Sequence, residues 1–177
     1  MKRLLFIYNA KSGTGAVAKN LSNIIDVFVK SGYRVEAYPT QCPMDAKKQI
    51  IDRSSEFDLI VCSGGDGTLN EVVSGVMQLE DKPVIGYIPT GSTNDFASSI
   101  GLKKNMVNNA KIAVCGCKYK VDVGSFNDER NFIYVSAFGA FTEVSYATCT
   151  SCPCSARRMN VPPIEITSSS GCGEKIT

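Results

Sequence analysis

The feature that most constrains this chain is an alternation of short apolar strands with amphipathic helices along its first two thirds. Leu4–Tyr8 is an all-apolar run, and apolar residues then recur at helical spacing up to a stop at Ser31-Gly32. Three further strand-like runs follow at Tyr33–Tyr38, Leu59–Cys62 and Val84–Ile88. Near-continuous apolar strands separated by helices are typical of a parallel sheet covered on both faces. We therefore predict an α/β fold with a doubly wound, mostly parallel sheet.

Ligands of such three-layer, Rossmann-like sheets bind beyond the carboxyl ends of the strands. Three strands here run into segments rich in glycine and hydroxyl groups, namely residues 9–15, 64–68 and 89–95, and Thr40 follows another strand at the same edge. Glycines let a backbone approach a phosphate closely, and the free N–H groups of a helix beginning near Thr68 favour an anion. A nucleotide triphosphate fits this crevice better than a dinucleotide, because no acidic ribose ligand ends the second strand.

Asp66 is the carboxylate inside the turn Gly64-Gly65-Asp66-Gly67-Thr68, where the sequence reveals no packing purpose for it. A carboxylate among phosphates is repelled unless a divalent cation offsets the charge, so we expect Asp66 to organise Mg²⁺. For the other candidate residues, purely structural interpretations stay open. Glycine clusters are often only turns, Asn94-Asp95 also fits the start of a short helix, and Asp122 also fits a strand-end carboxylate facing water.

Charge and hydropathy narrow the class of partner. The formal net charge is +2 over 177 residues, and no run of five like charges occurs, which argues against nucleic acid. The apolar run at the amino terminus is too short for a signal peptide, and no apolar stretch of 18 residues exists, so we expect a cytoplasmic protein with a small-molecule partner. In a reducing compartment the cysteines Cys42, Cys62, Cys115 and Cys117 are expected to be free, buried thiols.

Three motifs together resemble the catalytic domain of the bacterial diacylglycerol kinase family, which also includes sphingosine and other lipid kinases. They are Asn9-x-Lys11-Ser12-Gly13, then Gly64-Gly65-Asp66-Gly67-Thr68-Leu69-Asn70-Glu71, and Pro89-x-Gly91-Ser92-x-Asn94-Asp95-Phe96-Ala97. The likeness covers roughly residues 2–147. It implies an ATP-dependent kinase that transfers the γ-phosphate to a lipid hydroxyl, with ATP and Mg²⁺ as cofactors and diacylglycerol or a related lipid as substrate. Peripheral membrane contact and a homodimer are compatible with it.

The resemblance also implies roles for individual residues. The implied nucleotide contacts are Asn9, Ala10, Lys11, Ser12, Gly13, Thr40, Gly64, Gly65, Asp66, Gly67, Thr68, Leu69, Asn70, Glu71, Ser92, Asn94 and Asp95. Asp66 is the implied catalytic residue, and Asp66, Asp95 and Asp122 are implied members of one Mg²⁺ network. Ser92 departs from the threonine common in the family but keeps the hydroxyl. Family members are about twice this long, and their second, β-rich domain supplies the lipid pocket and the general base.

We expect three regions along the chain. Residues 1–117 form the nucleotide-binding α/β domain, residues 118–147 hold the first strands of an incomplete second domain, and residues 148–177 form a tail rich in Cys, Pro and Ser that does not match the family. The tail is expected to be either disordered or wrongly read, and a truncated or frame-shifted gene model is the favoured account. A metal site is disfavoured, because Cys149, Cys152, Cys154 and Cys172 lack paired spacing and the chain has no histidine.

Two alternatives to a lipid kinase stay open at this stage. NAD kinases and sugar-phosphate kinases also resemble the Gly-Gly-Asp-Gly-Thr turn, so the acceptor is not fixed by that turn alone. A non-catalytic nucleotide-binding fragment of a truncated gene is the other. Because the acceptor site is expected to be missing, we predict weak or absent ATP binding and little lipid kinase activity for the isolated chain.

Overall fold

The computed structural model describes residues 1–13, 15–116, 118–126, 130–133 and 164–167. The strands in this part are β1 (Lys2–Tyr8), β2 (Tyr33–Pro39), β3 (Leu59–Gly64), β4 (Ile85–Pro89), β5 (Lys118–Val121), β6 (Gly124–Phe126), β7 (Arg130–Phe132) and β8 (Ile164–Thr167). The helices are α1 (Ala16–Lys30), α2 (Asp45–Arg53), α3 (Asp66–Val76), α4 (Asp95–Ser99) and α5 (Met106–Cys115). None of these helices combines the length and apolar character that crossing a membrane requires.

A mostly parallel sheet is the centre of the fold. Its order is β2-β1-β3-β4-β8-β5, with β1 to β4 parallel and β5 antiparallel to β8. β6 and β7 form a separate antiparallel pair. β3 is buried along its whole length, because helices cover both faces of the sheet. The predicted α/β fold class is confirmed.

Successive residues of the central strands point to opposite faces, which gives two apolar cores. Leu5 and Ile7 of β1 pack on the face of α2, α3 and α4, whereas Leu4 and Phe6 pack on the face of α1 and α5. On the second face α5 lies close to β4, where a Cβ built on Gly86 would come within 2.7 Å of the Ala113 Cβ. These cores hold the carboxyl ends of β1, β3 and β4 along one edge.

Cysteines in the described part agree only partly with the sequence analysis. Cys42, Cys62 and Cys115 are free, as expected, but Cys42 and Cys115 are exposed rather than buried. Cys62 lies wholly within β3, and burial raises the pKa of its thiol. Cys117 lies outside the described residues.

The tail contributes a strand that the sequence analysis did not predict. β8 pairs with β5 at four positions and with β4 at Ile85, and the side chain of Ile166 is fully buried. Lys118 Nζ lies 2.9 Å from Glu165 Oε2. The alternative of a disordered tail is therefore wrong for residues 164–167, and the truncated or frame-shifted gene model stays a prediction. The three-region division stays a prediction, and the four tail cysteines lie outside the described residues.

Truncating Ile166 to alanine is expected to lower the free energy of unfolding by about 2 kcal/mol, because it removes a buried side chain from between β4 and β5. The corresponding drop in Tm is roughly 4–8 °C for a chain of this length, measured by calorimetry. Glu165→Ala is the matched control, since a partly exposed ion pair contributes about 1 kcal/mol or less. Equal losses in the two variants would contradict a core role for β8.

Candidate functional site

Three loops meet at the carboxyl edge of the sheet. We name them the first loop (residues 9–13 and 15), the second loop (64–67) and the third loop (90–94). Asn9 N donates to Ser63 O over 2.9 Å, and Thr90 N donates to Gly64 O over 2.8 Å. The parallel ladder thus continues one residue beyond β1 and β4. Each loop consequently begins at a fixed position beside its neighbour, as the sequence analysis expected of one edge.

Glycines let the three loops touch one another. Gly13 has a φ of +58°, and a Cβ built on it would collide with the backbone oxygen of Thr90. A Cβ on Gly91 would lie 2.7 Å from the Cα of Gly65. Backbones in such contact leave no room for a side chain at Gly13 or Gly91. These two glycines therefore join the third loop to the first and second loops.

Gly67 differs from the other glycines of the second loop because the space beside it is open. It is exposed, it lies in the first turn of α3, and a Cβ built on it would have no atom within 4 Å. Gly64, by contrast, is buried, and a Cβ there would collide with the Thr68 side chain. Open space at this edge of the site therefore lies beside Gly67 and the start of α3.

The start of α3 presents backbone N–H groups to this open space. α3 begins at Asp66, two residues before the predicted start at Thr68. Leu69 N donates to Gly65 O over 3.1 Å, which is the first bond of the helical ladder. The amides that precede it have no partner inside the helix, and the aligned peptide dipoles favour an anion there.

Asp66 has a structural partner that the sequence analysis did not foresee. Its Oδ2 accepts a hydrogen bond from Asp95 N over 3.1 Å, and its Oδ1 accepts one from Phe96 N over 3.4 Å. The inference that Asp66 has no packing purpose is therefore wrong. The carboxylate lies at the start of α3 and also holds the start of α4. A carboxylate offers about four lone-pair sites, so these two bonds leave acceptor capacity on Asp66.

The first loop is held by its own short bonds. Asn9 Oδ1 accepts from Lys11 N over 2.9 Å, and Asn9 O accepts from Ser12 N over 3.1 Å. A Cβ on Gly65 would lie 3.9 Å from Ser12 Oγ, so this hydroxyl lies close to the second loop. Thr40 is fixed at the same edge because its N–H donates to the oxygen of Tyr8, the last residue of β1, over 2.9 Å.

Several polar atoms beneath the loops have no hydrogen-bond partner within the described part of the chain. They are Ser63 Oγ, Thr90 Oγ1 and Asn70 Oδ1. The hydroxyl of the buried residue Tyr87 donates to Gly64 O over 3.3 Å. Burial raises the pKa of Tyr87 above its ordinary value, with Cys62 and Asp66 as smaller causes. Sequence reasoning missed Tyr87, whose apolar strand context gave no signal of this contact.

The implied site residues fall into three groups in the structure. Those at the edge with exposed or partly exposed positions are Asn9, Ala10, Lys11, Ser12, Gly13, Thr40, Gly65, Asp66, Gly67, Asn70, Glu71, Ser92 and Asp95. Those at the edge but buried are Gly64, Thr68, Leu69 and Asn94, and the Leu69 side chain belongs to the apolar core. Asp122 is exposed just beyond β5.

The predicted network of three carboxylates is not assembled as a metal cluster. Among the residues that the structure describes, no three Asp, Glu, Cys or His side chains lie together as a metal site requires. Asp66 and Asp95 are neighbours through the bond between Asp66 Oδ2 and Asp95 N. Asp122 is not grouped with them. Any role of Asp122 toward a metal stays a prediction.

A match to a family model identifies the protein family to which this arrangement of loops belongs. The model of the diacylglycerol kinase catalytic domain matches residues 3–126, which is more than half of the chain and includes all three loops. The chain belongs to the diacylglycerol kinase catalytic domain family. The resemblance predicted from the three motifs is confirmed.

Relatives within the diacylglycerol kinase catalytic domain family agree with this. A diacylglycerol kinase of Bacillus subtilis strain 168 is 37% identical over 148 residues, which are 82% of this chain and 48% of the relative. One of Staphylococcus epidermidis is 38% identical over 149 residues, or 83% of this chain and 46% of the relative. The crystal structure of a diacylglycerol kinase from Bacillus anthracis superposes with a TM-score of 0.68 at 32% identity, covering 74% of this chain and 45% of that one.

This member of the diacylglycerol kinase catalytic domain family spans about half the length of the curated relatives it matches. The shared half contains the sheet edge and the three loops. The activity of a whole kinase is therefore a separate question from the architecture of this half.

Proposed function

We propose that this chain carries the nucleotide-binding half of an ATP-dependent lipid kinase, with diacylglycerol or a related lipid as acceptor of the γ-phosphate. The observation that carries the proposal is the open start of α3 at Gly67, two residues after Gly65, which lies beside Gly91 of the third loop and Ser12 of the first. Membership of the diacylglycerol kinase catalytic domain family supports phosphoryl transfer as the chemistry. The relatives from Bacillus subtilis and Staphylococcus epidermidis are diacylglycerol kinases, which supports a lipid as acceptor.

The phosphates would bind at the start of α3. Backbone N–H groups of residues 65–68 are the donors, and an exposed Gly67 leaves space for phosphoryl oxygens to approach them. The Ser12 hydroxyl beside Gly65 supplies a further donor, and Lys11 is an exposed cation at the same edge. Donors fixed by the fold stabilise charge on the phosphates without reorganising, which is the main contribution a protein makes to phosphoryl transfer.

Asp66 fits a role toward Mg²⁺ of limited kind. Mg²⁺ in kinases is held by one or two carboxylates, by substrate phosphates and by water, rather than by a protein cage. Asp66 keeps acceptor capacity after its bonds to Asp95 N and Phe96 N, and it lies at the turn where phosphates would bind. Bound there, Mg²⁺ would offset charge on the β- and γ-phosphates. Asp95 is the second implied carboxylate at this edge, and its backbone N–H donates to Asp66 Oδ2.

The proposed acceptor of the γ-phosphate is a lipid hydroxyl group. A lipid hydroxyl would be reached by peripheral contact with a bilayer, and a cytoplasmic location is proposed to go with it. We infer that NAD and sugar phosphates are not the acceptors, because the third loop carries the motif that resembles the lipid branch. A second candidate function is a non-catalytic nucleotide-binding fragment. The specific observation in its favour is that both carboxylate oxygens of Asp66, the implied catalytic residue, already accept hydrogen bonds from Asp95 N and Phe96 N.

MgATP is expected to raise the Tm of the full chain, because a ligand that binds only the folded state stabilises it by mass action. At a concentration about ten times a weak Kd, the gain is about 1.4 kcal/mol, or roughly 3–6 °C in Tm. Thermal shift with MgATP, MgADP and Mg²⁺ alone measures it. An unchanged Tm with MgATP up to millimolar concentration would sink nucleotide binding by this chain.

Phosphate transfer separates the two candidate functions. The chain is incubated with radiolabelled MgATP and mixed micelles of diacylglycerol or sphingoid base, and in parallel with NAD. Labelled lipid is expected if the chain is a lipid kinase, and the full-length Bacillus subtilis relative serves as the positive control. No labelled lipid from a chain that binds MgATP would favour the non-catalytic candidate, and labelling of NAD would overturn the lipid assignment.

A further inference from the structure

Asn94 is a buried asparagine whose side-chain amide makes two hydrogen bonds within its own loop. It is 4% exposed. Its Nδ2 donates to Gly91 O over 2.6 Å, and its Oδ1 accepts from Gly91 N over 2.8 Å. Its backbone has a φ of +53°, a left-handed conformation that asparagine and glycine adopt more readily than other residues. The side-chain amide therefore closes the third loop on itself.

This closure holds the third loop against the second. Both side-chain hydrogen bonds of Asn94 go to the backbone of Gly91. Gly91 also packs against the backbone of Gly65 so closely that no Cβ fits between them. A Cβ on Gly91 would also lie 2.8 Å from Asn94 Oδ1. The Gly65 backbone and the Asn94 amide oxygen consequently both occupy the space in which a Cβ of residue 91 would lie.

The residues immediately after Asn94 make the second link to the same loop. The N–H groups of Asp95 and Phe96 donate to the two carboxylate oxygens of Asp66. The left-handed turn at Asn94 sets the direction of these two N–H groups, because they are the next two peptide units along the chain. Asn94 O accepts from Ser98 N over 3.1 Å, which ties the turn to the first turn of α4.

We propose that Asn94 is a positioning residue that docks the third loop onto the second through Gly91 and through the Asp66 carboxylate. On this proposal its amide does not contact the nucleotide, in contrast to the role that the family resemblance implied. The effect on the phosphate site is indirect: Asn94 fixes the orientation of Asp66 beside the start of α3. The consequence for nucleotide binding rests on the proposed function, whereas the docking role does not.

Amide hydrogen exchange of the full chain, followed by NMR without nucleotide, tests the docking role. The main variant is Asn94→Gly, because glycine keeps the left-handed backbone without strain and loses only the amide. The expected result is exchange about tenfold faster at Asp95 and Phe96 as well as at Gly91, with β3 amides unchanged. Asn94→Asp keeps the acceptor for Gly91 N and loses the donor, so its exchange rates should fall between wild type and Asn94→Gly.

Asn109→Ala is the matched control. Asn109 is 1% exposed, its Nδ2 donates to the Lys103 backbone oxygen over 2.7 Å, and it lies on α5 outside the three loops. This variant should leave exchange at Asp95 and Phe96 at the wild-type rate. Faster exchange at Gly91 alone in Asn94→Gly, or at none of the three amides, would overturn the proposal. Uniformly faster exchange that includes β3 would overturn it too, because the role would then be global.

A nucleotide titration separates this inference from the proposed function. If the wild-type chain binds MgATP, Asn94→Gly should raise the Kd about tenfold while Asn109→Ala leaves it unchanged. An unchanged Kd in Asn94→Gly, with faster exchange at Asp95 and Phe96, would confine the role of Asn94 to docking and overturn its effect on the site. If the wild-type chain binds no MgATP, the proposed function fails, and hydrogen exchange still decides whether Asn94 docks the loop.

Discussion

Replacing Asp66 by alanine is expected to abolish the rise in Tm that MgATP gives this chain. In the full-length Bacillus subtilis relative, alanine at the residue aligned with Asp66 is expected to lower the phosphoryl-transfer rate by about 10²–10³-fold, the usual loss when a preorganised charge stabiliser is removed. The reason is positional. Asp66 lies at the start of α3, where the phosphates are proposed to bind, and is the one carboxylate inside the second loop. Wild-type turnover in the changed relative would defeat the assignment.

The same substitution also removes two acceptors from the loop contact, and the design has to separate the two effects. Asp66→Ala leaves Asp95 N and Phe96 N without their acceptors, which is expected to cost about 1–3 kcal/mol of folding free energy. Asp66→Asn keeps one oxygen acceptor and the side-chain shape but removes the charge, so its loss of stability should be smaller. Both variants should fail to gain Tm from MgATP if the charge matters.

Chelation provides an independent check on the role of the charge. With EDTA in excess, ATP should stabilise the wild-type chain less than MgATP does, because phosphate charge near Asp66 is then not offset. The same chelation should change nothing further in Asp66→Asn. An Asp66→Asn variant that gains Tm from MgATP as wild type does would show that Asp66 acts only through its bonds to α4.

Sequence alone located the site edge but not the contacts within it. The apolar runs predict parallel strands, and parallel strands bring residues 9–15, 64–68 and 89–95 to one edge whatever their order. The bonds from Asp95 N and Phe96 N to Asp66 depend on a further fact, that β3 and β4 are neighbours in the sheet. No local pattern encodes a pairing between residues about 30 positions apart. Asp66 therefore appeared to have only a ligand-binding purpose.

The contacts of the loop glycines and the position of β8 also could not be predicted from the sequence alone. Sequence identifies Gly13, Gly67 and Gly91 as permissive positions, but only packing reveals which of them face another loop and which faces open space. β8 is four residues long, and such a strand is too short to give a periodic signal within a tail rich in Cys, Pro and Ser. Its place between β4 and β5 is decided by burial of Ile166, which is a tertiary property.

Gly13→Ala is expected to be the most destabilising of the glycine substitutions in the loops. At a φ of +58°, a residue with a Cβ lowers the free energy of unfolding by about 1–2 kcal/mol. The added methyl group also collides with the backbone oxygen of Thr90, which cannot rotate away. Overpacking adds about 1–3 kcal/mol, so a total near 3 kcal/mol and a Tm lower by roughly 6–12 °C are expected. Calorimetry of the nucleotide-free chain measures this loss.

Gly67→Ala is the matched comparison, because it adds the same methyl group to the same set of loops but into open space. In the first turn of α3 it should raise the free energy of unfolding by up to about 1 kcal/mol, since alanine favours a helix over glycine. Its Kd for MgATP should nevertheless rise about tenfold, because the methyl group occupies space that phosphoryl oxygens need. If the Gly67→Ala chain is stabilised and binds MgATP as tightly as wild type, the phosphates bind elsewhere. If the Tm of Gly13→Ala is unchanged, the contact between the first and third loops is refuted.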